Sequence, residues 1–183
     1  MSVLELVLAT LRAEFSDLLE VEQVTRVAAR MSVALLLGAL IGWDRERRDA
    51  DAGLRTHMLV ALGAALFVMV PSESGMGSDE LSRVIQGIVS GVGFLGAGAV
   101  LKLGSEGRIH GLTTAATVWA TAAVGMSAGL GREGTAVLAT VFILLVLVWL
   151  RRLEVRKADR REHRGVRSVS TDDTPQTDGE RSD

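Results

Sequence analysis

The chain has 183 residues, 48% of them hydrophobic and 23% charged, with a net charge of −2, 20 glycines and no cysteine. A disulfide framework, a thiolate zinc site, an iron–sulfur cluster and a cysteine nucleophile are therefore excluded. Charge is segregated: residues 102–150 hold only Lys102, Glu106, Arg108, Arg132 and Glu133, whereas residues 151–183 hold 9 Lys/Arg and 8 Asp/Glu. A soluble domain interleaves charged and apolar residues along each element, so this distribution predicts an all-α polytopic membrane protein with a polar tail.

Residues 1–22 read as an amphipathic helix. Leu4, Val7, Leu8, Leu11, Phe15, Leu18 and Leu19 recur at three- and four-residue steps, with Glu5, Arg12, Glu14, Asp17 and Glu20 between them. Such a helix lies on the outer face of a bilayer or packs on the end of a bundle. It is not expected to be a secretory signal, because no basic residue precedes its apolar part.

A transmembrane domain is expected over residues 23–150. A hydrocarbon layer about 30 Å thick takes roughly 20 apolar residues in a helix, and five stretches approach that length: 24–43, 54–70, 81–101, 112–129 and 135–150. The connections after the first, third and fifth carry most of the basic residues: Arg45, Arg47, Arg48 and Arg55, then Lys102 and Arg108, then seven between 151 and 164. The other side has Arg12 and Arg132, with Arg26, Arg30 and Arg83 at span ends. By the positive-inside rule this predicts a five-helix bundle with its N-terminus outside and its C-terminus cytoplasmic. Trp43 and Trp149 fall at the expected cytoplasmic ends. Residues 151–183 read as a basic segment followed by a disordered cytoplasmic tail.

Gly91, Gly93 and Gly96 match the dinucleotide-binding pattern G-x-G-x-x-G, but they lie inside an apolar span, with no preceding strand and no acid at the required distance. Close helix packing explains them better. Gly87 and Gly91 form a G-x-x-x-G pair, and Gly93, Gly96 and Gly98 extend the small-residue surface; a broken, ligand-lining helix is the alternative. Thr113, Thr117 and Thr121 repeat every four residues and predict one hydroxyl face, for packing or for a hydrated path. Trp119 sits mid-span, where packing is expected. No P-loop, no H-E-x-x-H spacing and no activated serine occurs, so neither an enzyme nor a cofactor is expected.

The informative charges sit at span ends. Asp44 or Glu46 is expected to pair with Arg55 or Arg108, and Arg30 and Arg83 to reach Asp79, Glu80 or water, because an unpaired charge in lipid costs several kcal/mol. These groups either mark helix ends or line a polar entrance. Asp44 and Glu46, with Asp49 and Asp51, are weak candidates for gathering Mg²⁺, which prefers oxygen ligands and keeps several waters.

Four segments carry a family resemblance: 30–46 (RMSVALLLGALIGWDRE), 52–67 (AGLRTHMLVALGAALF), 83–100 (RVIQGIVSGVGFLGAGAV) and 111–131 (GLTTAATVWATAAVGMSAGLG). Together they resemble the MgtC/SapB family of bacterial inner-membrane proteins. The resemblance implies a five-span bundle and a link to growth under magnesium limitation, acid stress and, in pathogens, virulence. It implies action on membrane partners, notably ATP synthase. Polar family positions carry over onto Arg30, Arg45, Arg55, Thr56, Arg83, Thr113, Thr114 and Trp119. Asp44 stands where the family usually has Glu, which leaves the charge but shortens its reach. The chain looks like a short form lacking the ACT-like C-terminal domain of longer members.

Two functions are expected on these grounds. One is a non-enzymatic regulator, oligomeric with itself, that binds another integral-membrane protein through its Gly- and Thr-lined faces. The other is a small oligomeric channel or transporter for Mg²⁺, another cation or protons. Neither involves nucleic acid.

Overall fold

Backbone amides in hydrocarbon must be paired within their own segment, so a long apolar run in lipid takes helical form. The computed structural model describes residues 2–14, 20–100 and 111–149, and among these every regular element is a helix. They are α1 (Val3–Glu14), α2 (Val21–Glu46), α3 (Leu54–Glu73), α4 (Ser78–Val100), α5 (Leu112–Gly129) and α6 (Glu133–Trp149). The all-α class expected from the sequence holds. Phe15, Leu18 and Leu19, the connection 102–108 and the tail from 150 onward lie outside the described residues. The chain divides into two units, Met1–Leu144 and Leu145–Asp183. Helices α1–α5 lie wholly in the first.

Three helices, α2, α3 and α4, are long and apolar enough to cross a membrane, and α6 is a shorter apolar helix. α5 is not among the three, although the sequence predicts a span there. Its Thr113, Thr114, Thr117, Thr121 and Ser127 dilute its hydropathy, and packing explains why that is tolerated. α5 touches α2, α3 and α4 and buries nine of its residues, including Thr114, Thr117 and Thr121. A helix enclosed by other helices is not selected for lipid contact. α1 buries nothing and touches none of α2–α5, so packing on the bundle does not account for its apolar stripe.

The interior is made of small side chains. Ala34, Leu37 and Ile41 of α2 meet Ala61 and Ala65 of α3, Val124 and Ala128 of α5, and Ala136 of α6. A second cluster joins Ala64, Val92, Val118 and Ala122, with Ala52 from the α2–α3 connection. Helices in lipid gain little from burying apolar surface, so they associate by close van der Waals contact between small residues.

The closest contacts run through two glycine pairs. A Cβ at Gly125 would stand 2.8 Å from the Ala61 Cα, and one at Gly129 would stand 2.7 Å from the Ala65 Cα. From α2, a Cβ at Gly38 would lie 2.7 Å from the His57 carbonyl oxygen, and one at Gly42 would lie 2.7 Å from the Leu54 Cα. The glycines singled out in the sequence behave differently. At Gly87, Gly91, Gly93 and Gly98 a Cβ would meet nothing within 4 Å, and only Gly96 approaches a neighbour, the Ala115 Cβ at 3.5 Å. Within the chain, then, packing falls to the pairs 38/42 and 125/129, not to the glycines of α4.

Gly125→Ala should force α5 away from α3 and destabilise the protein by about 2 kcal/mol or more, whereas Gly91→Ala should stay within about 0.5 kcal/mol of the parent. Thermal unfolding of the two variants in mild detergent measures the difference.

Candidate functional site

The polar residues gather at two opposite ends of the helices, and each end has its own construction. Where α2 gives way to α3, the chain turns through residues 47–49, with Asp49 in the left-handed region at φ 51°. Arg48 Nε donates to Asp44 Oδ1 at 3.0 Å, and its Nη2 donates to the same oxygen. Glu46 reaches across the turn, its Oε2 accepting the Leu54 backbone N–H at 2.6 Å. That carboxylate satisfies one of the orphan donors at the start of α3, where negative charge is also favoured by the helix dipole. Arg47 stacks over the ring of Trp43, 5.1 Å from its centroid.

In the same turn of α2, Arg45 is 8% exposed, and one turn into α3 His57 is fully buried. Arg45 Nη2 donates to Thr114 Oγ1 at 3.3 Å, joining α2 to α5. His57 Nδ1 lies 2.9 Å from the Gly53 carbonyl oxygen. A carbonyl only accepts, so Nδ1 is the donor in this bond. Three buried polar atoms at this end, Asp44 Oδ2, Arg45 Nε and His57 Nε2, have no hydrogen-bond partner among the described residues.

At the other end, Arg30 of α2 ties two helix ends together. Its Nη1 donates to the Gly129 carbonyl at 3.3 Å and lies 3.5 Å from Glu73 Oε1. Gly131, at φ +72°, passes so close that a Cβ there would stand 2.6 Å from Arg30 Nη2. The guanidinium thus occupies the turn between α5 and α6 and takes one of the carbonyls that a helix C-terminus leaves unpaired.

Several expectations are corrected by this geometry. Asp44 pairs with Arg48, four residues on, and Glu46 with a backbone amide; neither meets Arg55, and Arg108 lies outside the described residues. Arg30 reaches Glu73, not Asp79 or Glu80. Arg55, Thr56 and Arg83 are exposed, and among the described residues neither arginine forms an ion pair. Thr113 is exposed, and the buried hydroxyl row is Thr114, Thr117 and Thr121. Thr117 and Thr121 return their hydroxyls to the Thr113 and Thr117 carbonyls, each at 2.8 Å, so this face packs inside the chain and is closed to a partner. Trp119 is 50% exposed instead of packed. Among the described residues no group of three or more His, Asp or Glu side chains could hold a metal ion, and the weak candidates Asp44 and Glu46 are engaged by Arg48 and the Leu54 amide. Sequence reasoning misses His57, Arg48 and Glu73. A histidine inside an apolar run is the one available signal.

Comparison with known proteins places these residues. The MgtC family model matches residues 31–156. The chain belongs to the MgtC family. It is 46% identical to Protein SrpB of Synechococcus elongatus, over 68% of this chain and 75% of that protein. It is 50% identical to Protein MgtC of Brucella abortus, over 69% of this chain and 52% of that one. To Protein MgtC of Salmonella typhimurium it is 47% identical, over 64% and 49%. The chain thus spans about half the length of these MgtC proteins. No solved structure matches it. Within the MgtC match lie Asp44, Arg45, Glu46, His57 and Thr114; Arg30 immediately precedes it.

If Glu46 serves as the cap of α3, Glu46→Gln keeps a carbonyl oxygen for the Leu54 amide and should leave stability within a few tenths of a kcal/mol, while Glu46→Ala should cost about 1 kcal/mol. Thermal unfolding in detergent separates this from a role in charge alone, for which both variants would lose the same amount.

Proposed function

We propose that the protein is a non-enzymatic MgtC-type regulator of the bacterial inner membrane that acts by docking against another integral-membrane protein. It crosses five times, with the N-terminus outside and the Asp44 end and the C-terminus in the cytoplasm. Its activity belongs to adaptation to low magnesium and acid, and to virulence where the bacterium is a pathogen. ATP synthase is the partner to which the family resemblance points.

The observation that carries this reading is an open groove between α3 and α4. It holds about 530 Å³ and is lined by apolar side chains and glycines, among them Leu59, Gly63, Phe67, Gly87 and Gly91. A Cβ at any of its three glycines would meet nothing within 4 Å, so another helix can approach the backbone there, as small-residue surfaces in membranes allow. Of the buried polar groups, Arg45 ties α2 to α5 through Thr114, and the regulatory reading assigns them no chemistry on a substrate. The reading requires no cofactor.

Ion conduction is the rival. No carboxylate lies in mid-span in α2–α5, and the carboxylates at the Asp44 end are taken up by Arg48 and by the Leu54 amide. Flux of Mg²⁺, other cations or protons through proteoliposomes, diminished by Asp44→Asn, would replace the regulatory reading. For the regulator, a photocrosslinking side chain at Phe67 or Leu95 in membranes of cells grown at low magnesium should capture a membrane subunit of ATP synthase. Adducts to lipid alone would remove the groove from consideration.

A further inference from the structure

A helix in lipid ordinarily turns its polar side chains toward other helices, where they find partners, and leaves an apolar exterior. α4 is built the other way round. At 3.6 residues per turn, Asp79, Arg83, Gln86, Ser90, Gly93 and Ala97 fall on one stripe. All six are exposed. Ile88 and Val92, which pack into the core, lie on the opposite side. Of α1–α5, α4 touches only α3 and α5; the polar members of the stripe lie opposite Ile88 and Val92, and its far end, Gly93 and Ala97, borders α5.

Among the described residues the polar members of the stripe have nothing to bond. Asp79, Arg83, Gln86 and Ser90 make no side-chain hydrogen bond or ion pair among the described residues. Elsewhere in the apolar helices the hydroxyls of Thr117, Thr121, Ser127 and Thr140 are returned to backbone carbonyls at 2.8–2.9 Å. Depth makes the contrast costly. At about 1.5 Å per residue, Gln86 and Ser90 lie about 12 and 18 Å along α4 from Ser78, inside a hydrocarbon layer about 30 Å thick. Arg83 can extend toward headgroups, but Gln86 and Ser90 cannot.

We infer that this stripe is the face on which two copies of the chain meet, α4 against α4. All copies insert in the same orientation, so a two-fold axis relating them runs along the membrane normal and their α4 helices are parallel. Each residue then faces its own counterpart, and the stripe complements itself in that register. The Gln86 amide is donor and acceptor at once, as is the Ser90 hydroxyl, and such side chains join helices in membranes. Asp79 and Arg83 are one turn apart, so each lies within reach of the partner's opposite charge. Further along, Gly93 and Ala97 let the two backbones close, since a Cβ at Gly93 would meet nothing within 4 Å. Trp119 flanks the same surface: it lines a groove of about 480 Å³ with Gly93, Gly96 and Ala97, and its indole N–H has no partner among the described residues. Lipid tails offer nothing to these polar groups. The groove lined by Gly87 and Gly91 lies about a quarter turn away around α4, so this interface stands apart from the proposed regulatory docking.

The absence of native cysteine permits a direct test on the full chain in native membranes. Gln86→Cys, Ser90→Cys and Gly93→Cys, bridged by oxidation or a short bis-maleimide, should each give a dimer, while the exposed Leu59→Cys and Leu138→Cys should not. No dimer at any of the three, equal dimer at the two controls, or stripe adducts only to other proteins would overturn the inference. A charge exchange separates contact between copies from damage within one. Asp79→Arg alone and Arg83→Asp alone should each lose copurification of two differently tagged copies. Coexpressing the two variants should restore it, because each then presents two like charges opposite to its partner's. A mixed pair that is inserted but does not copurify also overturns the inference. Loss of capture at the α3–α4 groove would bear on the regulatory reading alone.

Discussion

Backbone approaches backbone where α2 and α5 both meet α3, and the rest of the molecule depends on that. Gly125 and Gly129 bring α5 onto Ala61 and Ala65, while Gly38 and Gly42 bring α2 onto His57 and Leu54. In lipid the usual driving force for burial is absent, so association rests on dispersion. A single atom pair contributes only about 0.1–0.2 kcal/mol, and the sum becomes useful only where many atoms meet at contact distance. Hence the core is alanine, glycine and threonine with few large side chains. The same closeness seals His57 and puts Arg45 within reach of Thr114.

Once the helices are this close, their ends must be tied off. Arg30 takes the last carbonyl of α5 and approaches Glu73 at the end of α3, so one guanidinium of α2 serves two helix ends. At the opposite end Glu46 takes an amide of α3 and Arg48 holds Asp44. Of the positions that a family resemblance presents as functional, Arg30, Arg45 and Thr114 are therefore also fasteners of the bundle. The unmatched atoms Asp44 Oδ2, Arg45 Nε and His57 Nε2 are the exception. A buried polar atom without a partner costs about 1–3 kcal/mol, and all three lie at one end, where two basic side chains and a carboxylate are held without complete mutual satisfaction.

How far the sequence can be read depends on the kind of information each feature needs. Apolar stretches are one-dimensional, and α2, α3 and α4 appear where hydropathy puts them, extended by a few residues whose side chains reach back toward water. Partners are not one-dimensional. The pattern G-x-x-x-G occurs at 38/42, at 87/91 and at 125/129; nothing in one helix says which pair has a neighbour in front of it. The conspicuous pair in α4 has none within the described chain, and the two inconspicuous ones carry the contacts. The hydroxyl face of α5 is legible to within one residue. A step of four drifts against a period of 3.6, so the buried row begins at Thr114 and leaves Thr113 outside. The pairing of Asp44 with Arg48 is ordinary i, i+4 helix geometry, a nearer choice than the reaches to Arg55 and Arg108 that charge alone suggests.

The division between α2, α3 and α5 on one hand and α4 on the other has a physical consequence. The first three contact one another on buried faces that satisfy most of their own polar groups, and substitution there acts on stability. α4 buries only Val92 and Gly96 and carries on its exposed faces both a glycine-floored groove and a polar stripe without partners. Among the described residues Gln86 and Ser90 make no hydrogen bond within the chain, and a second copy seated on this stripe, as inferred above, would supply what α3 and α5 do not. Stability measured on the isolated chain therefore reports chiefly on the α2–α3–α5 core, and under the inferred pairing of two copies the stripe of α4 answers to the second copy.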